Sequence, residues 1–345
     1  MKVISGILPV TTSAGNHMVE KCYEKQEVVI VGGTGFLGYY AVKELIRRGH
    51  RVTIIAVPPL PEEGLFPKDV NIVLANIDEL DNSSIFDILK GHDALVFAAG
   101  ADDRVIPKAP AYEFFYQANV RSCKRIVSMA RQSGIKRGVI LSSYFLYFDR
   151  IWPNEKLSEY HPYIRSRKEQ AQQSMDAAMP DLQLMILELP YVFGSMPGRT
   201  PLWKPLVQYI NSRYPLFYME GGTNMIAVEH VGEAIAGAIE IGKGGESYTI
   251  GDENITWVEF IERILNILGK KKRIIILPNF IIRLVLRVVK LMHRLSGKEG
   301  GLDPVRFAAI QTKNTFFDPS SAAKELGYSR GNLDRAFKDT VEACL

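Results

Sequence analysis

The chain is poor in the residues that build disulfide scaffolds and metal centres. Its 345 residues include 3 cysteines. These are Cys22, Cys123 and Cys344, too far apart to form a metal-type or redox pair. Such scarcity fits a reducing compartment, and cytoplasmic residence is the expectation. None of the 6 histidines forms a pair at metal-ligand spacing, so no metal site is expected. A net charge of only +4 gives no reason to expect nucleic acid as a partner. No apolar run reaches transmembrane length, and no internal repeat or low-complexity tract is present. With 47% hydrophobic and 23% charged residues, the chain reads as globular and long enough for one large α/β domain with a smaller lobe.

Residues 1–26 open with Lys2 and the apolar stretch Val3 to Val10, which Gly6 and Pro9 interrupt. With so small a positive region before it, this stretch is a poor signal peptide, and a flexible extension is expected.

The most informative segment is Val28 to Gly38, VVIVGGTGFLG. Val28 to Val31 are β-branched and apolar in succession, as in a strand buried on both faces. Gly32, Gly35 and Gly38 follow at a spacing of three, and Tyr39 to Arg48 takes a helical pattern that stops at Gly49. Strand, glycine turn and helix make a phosphate cradle. Glycine lets the backbone approach a pyrophosphate, whose charge meets the free N–H groups and positive dipole end of the helix. A small-molecule substrate and a bound dinucleotide are therefore expected.

Strand and helix patterns alternate beyond this unit, as a doubly wound parallel sheet requires. Strands are expected at Val52 to Val57, Asn71 to Leu74, Ala94 to Ala98, Gly138 to Leu141 and Leu182 to Leu189. Helices are expected around Ser84 to Lys90, over Tyr112 to Gln132 and from Tyr163 onward. Past Pro190 the alternation breaks down. Met225 to Val228 and Ser247 to Ile250 read as short strands, and Val231 to Ile241 and Trp257 to Leu268 as helices.

The GxxGxxG spacing resembles the short-chain dehydrogenase/reductase superfamily, in the extended or atypical branch that includes the NAD-dependent epimerase/dehydratase family. The resemblance runs from about Val28 to the C-terminus. It implies a Rossmann-type α/β domain over 27–190 and a smaller substrate lobe over 191–345, with the short strands near 225–250 free to return to the first domain. The cofactor set it implies is Gly32, Gly33, Thr34, Gly35, Phe36, Leu37 and Gly38 in the turn, and Ala56 at the second strand end. Asn76 and Ile77 are expected near the adenine, then Ala98, Ala99 and Gly100, and finally Pro190 and Val192 after the sixth strand.

Catalytic residues follow from the same resemblance. GVILSSYFLYF is similar to the family's strand-end serine motif, with Ser143 at the catalytic position beside Ser142. HPYIRSRKEQ resembles the YxxxK helix, with Tyr163 as the acid/base, and Asn119 in QANV matches an asparagine of the preceding helix. Delivering a proton to a developing alkoxide suits a phenol, provided a cation lowers its ordinary value near 10. The lysine position holds Arg167, with Lys168 one place later. One step on a helix turns a side chain by about 100°, so Arg167 is the substitute expected at the ribose. Otherwise Tyr163 is a packed aromatic, and the chain a non-catalytic dinucleotide sensor.

The absence of an acid at Ala56 leans the cofactor towards NADP over NAD, though no arginine stands at that strand end. The family's sugar-diphosphate arginine falls on Thr223 in GGTNMIAVEHV, and His230 replaces an acidic position. A nucleotide-sugar epimerase or dehydratase is thus the second reading, with Arg199 and Lys204 as substitute anion ligands or plain loop residues. Asp102, Asp103 and Arg104 follow the fourth strand, where the aspartate pair is either an acid or base or the cap of a turn, and the turn is expected.

The stretch Phe280 to Gly297, with GLDPVRF and NTFFDPSSAAKELGY after it, is similar to the end of 3β-hydroxysteroid dehydrogenase-like members. Arg283, Arg287, Lys290 and Arg294 form one stripe on this helix, and Lys270 to Arg273 add a basic cluster upstream. The favoured reading buries its apolar face in the core. The alternative rests 280–295 on an anionic lipid surface or has it line the entry for an apolar substrate. A homodimer is compatible with all of this. The leading expectation is an NAD(P)-dependent oxidoreductase acting on a small or apolar alcohol or ketone.

Overall fold

The computed structural model describes residues 24–59 and 64–345. The expected extension lies outside them apart from 24–26, as does Cys22; Cys123 and Cys344 are buried and unpaired. The first half winds as β1 (Glu27–Val31), α1 (Phe36–Arg47), β2 (Arg51–Ala56), β3 (Asn71–Leu74), α2 (Asn82–Leu89) and β4 (Ala94–Phe97). Next comes α3 (Ala111–Phe115), which runs through a π-helical turn (Tyr116–Arg121) into α4 (Ser122–Gln132). Then follow β5 (Arg137–Ser143), α5 (Phe145–Ile151), α6 (Leu157–Tyr160), α7 (Pro162–Ala178), β6 (Gln183–Leu189) and β7 (Tyr191–Phe193).

In β1 successive side chains point to opposite faces, and both are covered. Val28 and Ile30 join the cluster that holds Val42 and Leu45 of α1, whereas Val29 and Val31 pack with Ile85 and Leu89 of α2 and Ile126 of α4. The continuous apolar run is the consequence of that double burial.

The second half supplies α8 (Lys204–Asn211), β8 (Leu216–Tyr218), β9 (Gly222–Ala227), α9 (Val228–Ile241), β10 (Ser247–Thr249), β11 (Glu253–Thr256) and α10 (Trp257–Ile267). The chain ends with β12 (Ile274–Ile276), α11 (Asn279–Leu295), α12 (Pro304–Gln311), β13 (Asn314–Thr315), α13 (Ser320–Leu326) and α14 (Leu333–Cys344). The main sheet is parallel throughout, in the order β10-β6-β5-β4-β1-β2-β3. Of the two short strands expected near 225–250, only Ser247–Thr249 joins this sheet; Gly222–Ala227 pairs instead with β7, β11 and β13. Helix α9 packs against α1. Its Gly232 lies so close to α1 that a Cβ there would stand 2.7 Å from the Tyr40 carbonyl oxygen, and Glu240 bonds Arg48 at 2.6 Å.

Helix α11 departs from the favoured reading. Ile282 is its only buried residue, and Leu286, Val289 and His293 are half-buried along the same side. Phe280, Leu284, Val285, Val288, Leu291, Met292 and Leu295 are 53% to 79% exposed. The apolar stripe is wider than the one side that packs on the protein. At about 100° per residue, the exposed set covers a neighbouring sector bordered by the row Arg283, Arg287, Lys290 and Arg294. Among the described residues no helix is long and apolar enough to cross a membrane.

Candidate active site

A cavity of about 790 Å³ runs along the carboxyl ends of β1, β2, β4, β5 and β6, where open parallel sheets collect their ligands. Its floor is the glycine turn. Gly32 takes a left-handed φ of +85°, and a Cβ on Gly38 would lie 2.2 Å from the Gly32 carbonyl oxygen, so helix and turn touch backbone to backbone. Gly35 caps α1 without a side-chain hydrogen bond, and the first turn contains no acidic residue. The N–H groups there are left to a ligand, and the dipole favours an anion.

Thr34, Phe36, Leu37, Ala56, Ile77, Ala98, Ala99, Gly100, Pro190 and Val192 line the cavity with Gly32 and Gly35. Gly33 and Gly38 do not; a Cβ on Gly33 would strike Ile54 at 2.8 Å, so these two serve the packing of the turn. Asn76 is also away from the cavity. Its Nδ2 donates to Glu79 at 2.7 Å and its Oδ1 accepts from the Asp78 N–H at 3.1 Å, which stabilises a turn.

Ser143 at the end of β5 and Tyr163 and Arg167 on α7 line the cavity together. The Arg167 Cζ is 5.2 Å from the Tyr163 ring centroid. The Arg167 guanidinium donates to Gln170 Oε1 at 2.9 Å and to the Ala101 carbonyl at 3.2 Å. Lys168 points elsewhere, to Asp149 at 2.8 Å, as its one-residue offset requires. Burial pushes the Tyr163 phenol above its ordinary value; the Arg167 charge pulls it down, the Asp103 carboxylate pushes it up, and Ser143 favours the phenolate. The buried Ser142 Oγ and Arg167 Nε have no partner among the described residues. Unmatched polar atoms in this cavity, above a glycine turn with free N–H groups, fit a dinucleotide with its ribose hydroxyls.

Asn119 is fully buried and fastens the site from behind. Its Oδ1 accepts from the Ala101 N–H at 2.8 Å, and its Nδ2 donates to the Ala101 carbonyl and to Ser166 Oγ, both at 3.2 Å. Ser166 in turn donates to the Tyr163 carbonyl at 2.7 Å. The loop after β4 and the helix carrying Tyr163 and Arg167 are thereby tied to one side chain.

The family described as NAD(P)H-binding matches residues 32–192, the span that holds the glycine turn, Ser143, Tyr163 and Arg167. This match and the relatives below support the resemblance to the extended short-chain dehydrogenase/reductase superfamily. The chain is similar to the Mus musculus sterol-4-alpha-carboxylate 3-dehydrogenase, decarboxylating, with 22% identity over 95% of this chain and 94% of the relative. A Synechocystis sp. protein described as a candidate dihydroflavonol 4-reductase is 23% identical over 90% of this chain and 92% of its own length. Among solved structures, gox2253 superposes with a TM-score of 0.75 at 24% identity, over 92% of this chain and 98% of that one. MoeE5 in complex with UDP-glucuronic acid and NAD gives 0.66 at 18% identity, with the same coverage. These superpositions establish the fold, and the two relatives are named as a dehydrogenase and a reductase.

Two residues facing this site, Tyr144 and Tyr191, carried no signal as single letters, and Asp103 was expected only in a turn. Asp103 lines the cavity and acts electrostatically on Tyr163, Tyr144, Tyr191 and Arg167, whereas Asp102 makes the expected turn by accepting from the Arg104 N–H at 3.0 Å. Tyr144 and Tyr191 line the outer part; burial pushes the Tyr144 phenol up to about 12. Thr223 is buried behind Tyr144, 2.9 Å from its hydroxyl, and does not line the cavity. His230 is away from the cavity too, paired with Asp252 at 2.8 Å. Lys204 does not line it, but Arg199 does. Among the described residues no cluster of metal-ligating side chains is present.

Proposed function

We propose that this protein is an NAD(P)-dependent oxidoreductase that interconverts an alcohol and a ketone on a small or apolar substrate. The observation that carries the reading is the meeting of Ser143, Tyr163 and Arg167 in the cavity that the glycine turn floors. Bound there, the dinucleotide would supply or accept a hydride through its nicotinamide ring. Tyr163 would hold the proton at the substrate oxygen, and the Ser143 hydroxyl would orient that oxygen. The Arg167 guanidinium favours the phenolate against the burial that opposes it. Asn119 keeps these groups in register without touching substrate.

The outer lining supports an apolar substrate, because Phe145, Met196, Leu202, Trp203 and Leu206 join Tyr144 and Tyr191 there. The nucleotide-sugar alternative draws on MoeE5, solved with UDP-glucuronic acid and NAD, but in this chain the position expected to hold the sugar-diphosphate arginine is Thr223, buried against Tyr144. Uncharged Ala56 and Val57 at the end of β2 lean the cofactor towards NADP. The exposed apolar sector of α11, edged by four basic side chains, has the charge and shape to rest on an anionic bilayer and deliver apolar molecules to the lobe.

Calorimetry with NAD, NADH, NADP and NADPH comes first, on wild type and Gly35→Ala, followed by turnover on aliphatic, aromatic and polycyclic ketones and on UDP-sugars. Tight binding of one cofactor, lost in Gly35→Ala, with turnover of an apolar ketone that falls about 100-fold or more in Tyr163→Phe, is the expected result. Turnover that survives in Tyr163→Phe, or is confined to UDP-sugars, would overturn the reading.

A further inference from the structure

We propose that Arg199 closes over the pyrophosphate of the bound dinucleotide from the C-terminal lobe, giving the phosphate site a second wall opposite the glycine turn. The inference rests on the dinucleotide reading above and goes beyond it, since the glycine turn alone suffices for that reading.

The loop after β7 is held against α1. The Tyr40 hydroxyl donates to the Ser195 carbonyl at 2.7 Å, and the Gly194 N–H donates to Thr340 Oγ1 at 2.7 Å. A tight turn follows, in which the Arg199 N–H donates to the Met196 carbonyl at 3.2 Å. This turn brings Arg199 Nη1 to 3.9 Å from the point where a Cβ on Gly35 would stand. Gly35 is the residue that opens α1.

The charge balance at this spot is one-sided. The uncapped N–H groups of α1, its dipole and the guanidinium all present positive potential, and no acidic residue stands in the first turn. Three arginines line the cavity, and two are committed: Arg104 to Asp102 at 3.1 Å, and Arg167 to Gln170 and the Ala101 carbonyl. Arg199 makes no side-chain hydrogen bond or ion pair with any described residue. A planar cation with all its donors free, facing a helix N-terminus, suits a diphosphate, which offers oxygens to both walls. A diphosphate could come from the dinucleotide or from a sugar nucleotide; proximity to Gly35 favours the dinucleotide.

The test is calorimetry of the full chain against NADPH, NADH, ADP-ribose and UDP-glucose, with adenosine measured by displacement of NADH fluorescence. Wild type, Arg199→Ala and Arg199→Lys are compared, after confirming that the ligand-free melting temperatures agree, as they should for a solvent-facing side chain. Loss of one charge-assisted contact is expected to weaken the dinucleotides and ADP-ribose about tenfold, to leave adenosine unchanged and to be partly restored by lysine. The salt dependence of dinucleotide binding should also become shallower in Arg199→Ala. Undiminished ADP-ribose binding by Arg199→Ala would overturn the clamp while leaving the dinucleotide reading intact. A loss confined to UDP-glucose would assign Arg199 to a substrate diphosphate and equally overturn it. If wild type binds no dinucleotide, both readings fall together.

Discussion

Replacing Asn119 by alanine removes the side chain that ties the loop after β4 to α7. Three hydrogen bonds go: two to the main chain of Ala101 and one to Ser166 Oγ. A neutral bond of this kind contributes about 1 kcal/mol net, and an inward donor left without a partner costs more, so a loss of about 2–4 kcal/mol is expected. Unfolding entropy of about 2.1 cal/mol/K per residue gives roughly 0.7 kcal/mol/K for a chain of this size. The melting temperature of ligand-free Asn119→Ala should therefore fall by about 3–6 °C in differential scanning calorimetry. Because Ser166 also holds the Tyr163 carbonyl, kcat should fall more than KM rises. A drop in melting temperature below about 1 °C would refute the reasoning, since it would mean that these bonds contribute nothing to the fold.

Asp103→Asn removes a negative charge that opposes ionisation of Tyr163, so the alkaline limb of the pH–rate profile should move to lower pH; no movement would separate Asp103 from the acid/base group. His230 offers a pH test of stability. Burial works against its charged ring, but the hydrogen bond and charge of Asp252 outweigh this and hold His230 above the ordinary imidazole value. A raised folded value means that the pair's contribution is complete below about pH 6.5 and is lost as pH rises through the folded value. The stability gap between wild type and His230→Gln, measured by urea unfolding, should accordingly shrink as pH rises beyond that point. For α11, a double variant Leu284→Glu/Leu291→Glu should abolish sedimentation with phosphatidylserine vesicles and leave the melting temperature unchanged, because both side chains are exposed. Equal sedimentation of wild type and variant would remove the helix from any lipid contact.

The parallel sheet was legible because its strands are buried on both faces, which leaves unbroken apolar runs such as Val28 to Val31 and Leu184 to Leu187. The glycine turn, Ser143 and Tyr163 were legible because each sits at a fixed offset from a strand end or helix start. Residues whose role depends on where a loop crosses the sheet were not. Arg199 was legible as a substitute anion ligand, but its place was not: it lies more than 160 positions from Gly35 in sequence, and the fold brings their segments together, with a hydrogen bond from Tyr40 to Ser195 between them. Asp103 read as half of a turn because its neighbour Asp102 is one. Asn76 misled in the opposite sense: an amide at a strand end can face a ligand or close its own turn, and here Glu79 and the Asp78 N–H take it. The α11 stripe misled because hydrophobic periodicity reports an apolar face without saying whether protein covers it.

Gly301 links two ends of the molecule. Its carbonyl accepts from the Tyr163 N–H at 2.9 Å, and a Cβ there would stand 2.5 Å from the Phe115 ring and 2.9 Å from Tyr163 Cβ. Two residues on, the Asp303 N–H donates to His161 Nδ1 at 2.9 Å. The start of α7 is thus seated on a segment made almost 140 residues later. During synthesis the glycine cradle is complete long before the tyrosine has its seat, so a chain cut short after β6 would own the glycine turn and an unseated Tyr163. For the same reason the C-terminal lobe is not an exchangeable cassette: a chimera that imports another lobe to change specificity must also import a residue without a side chain at this one point of contact.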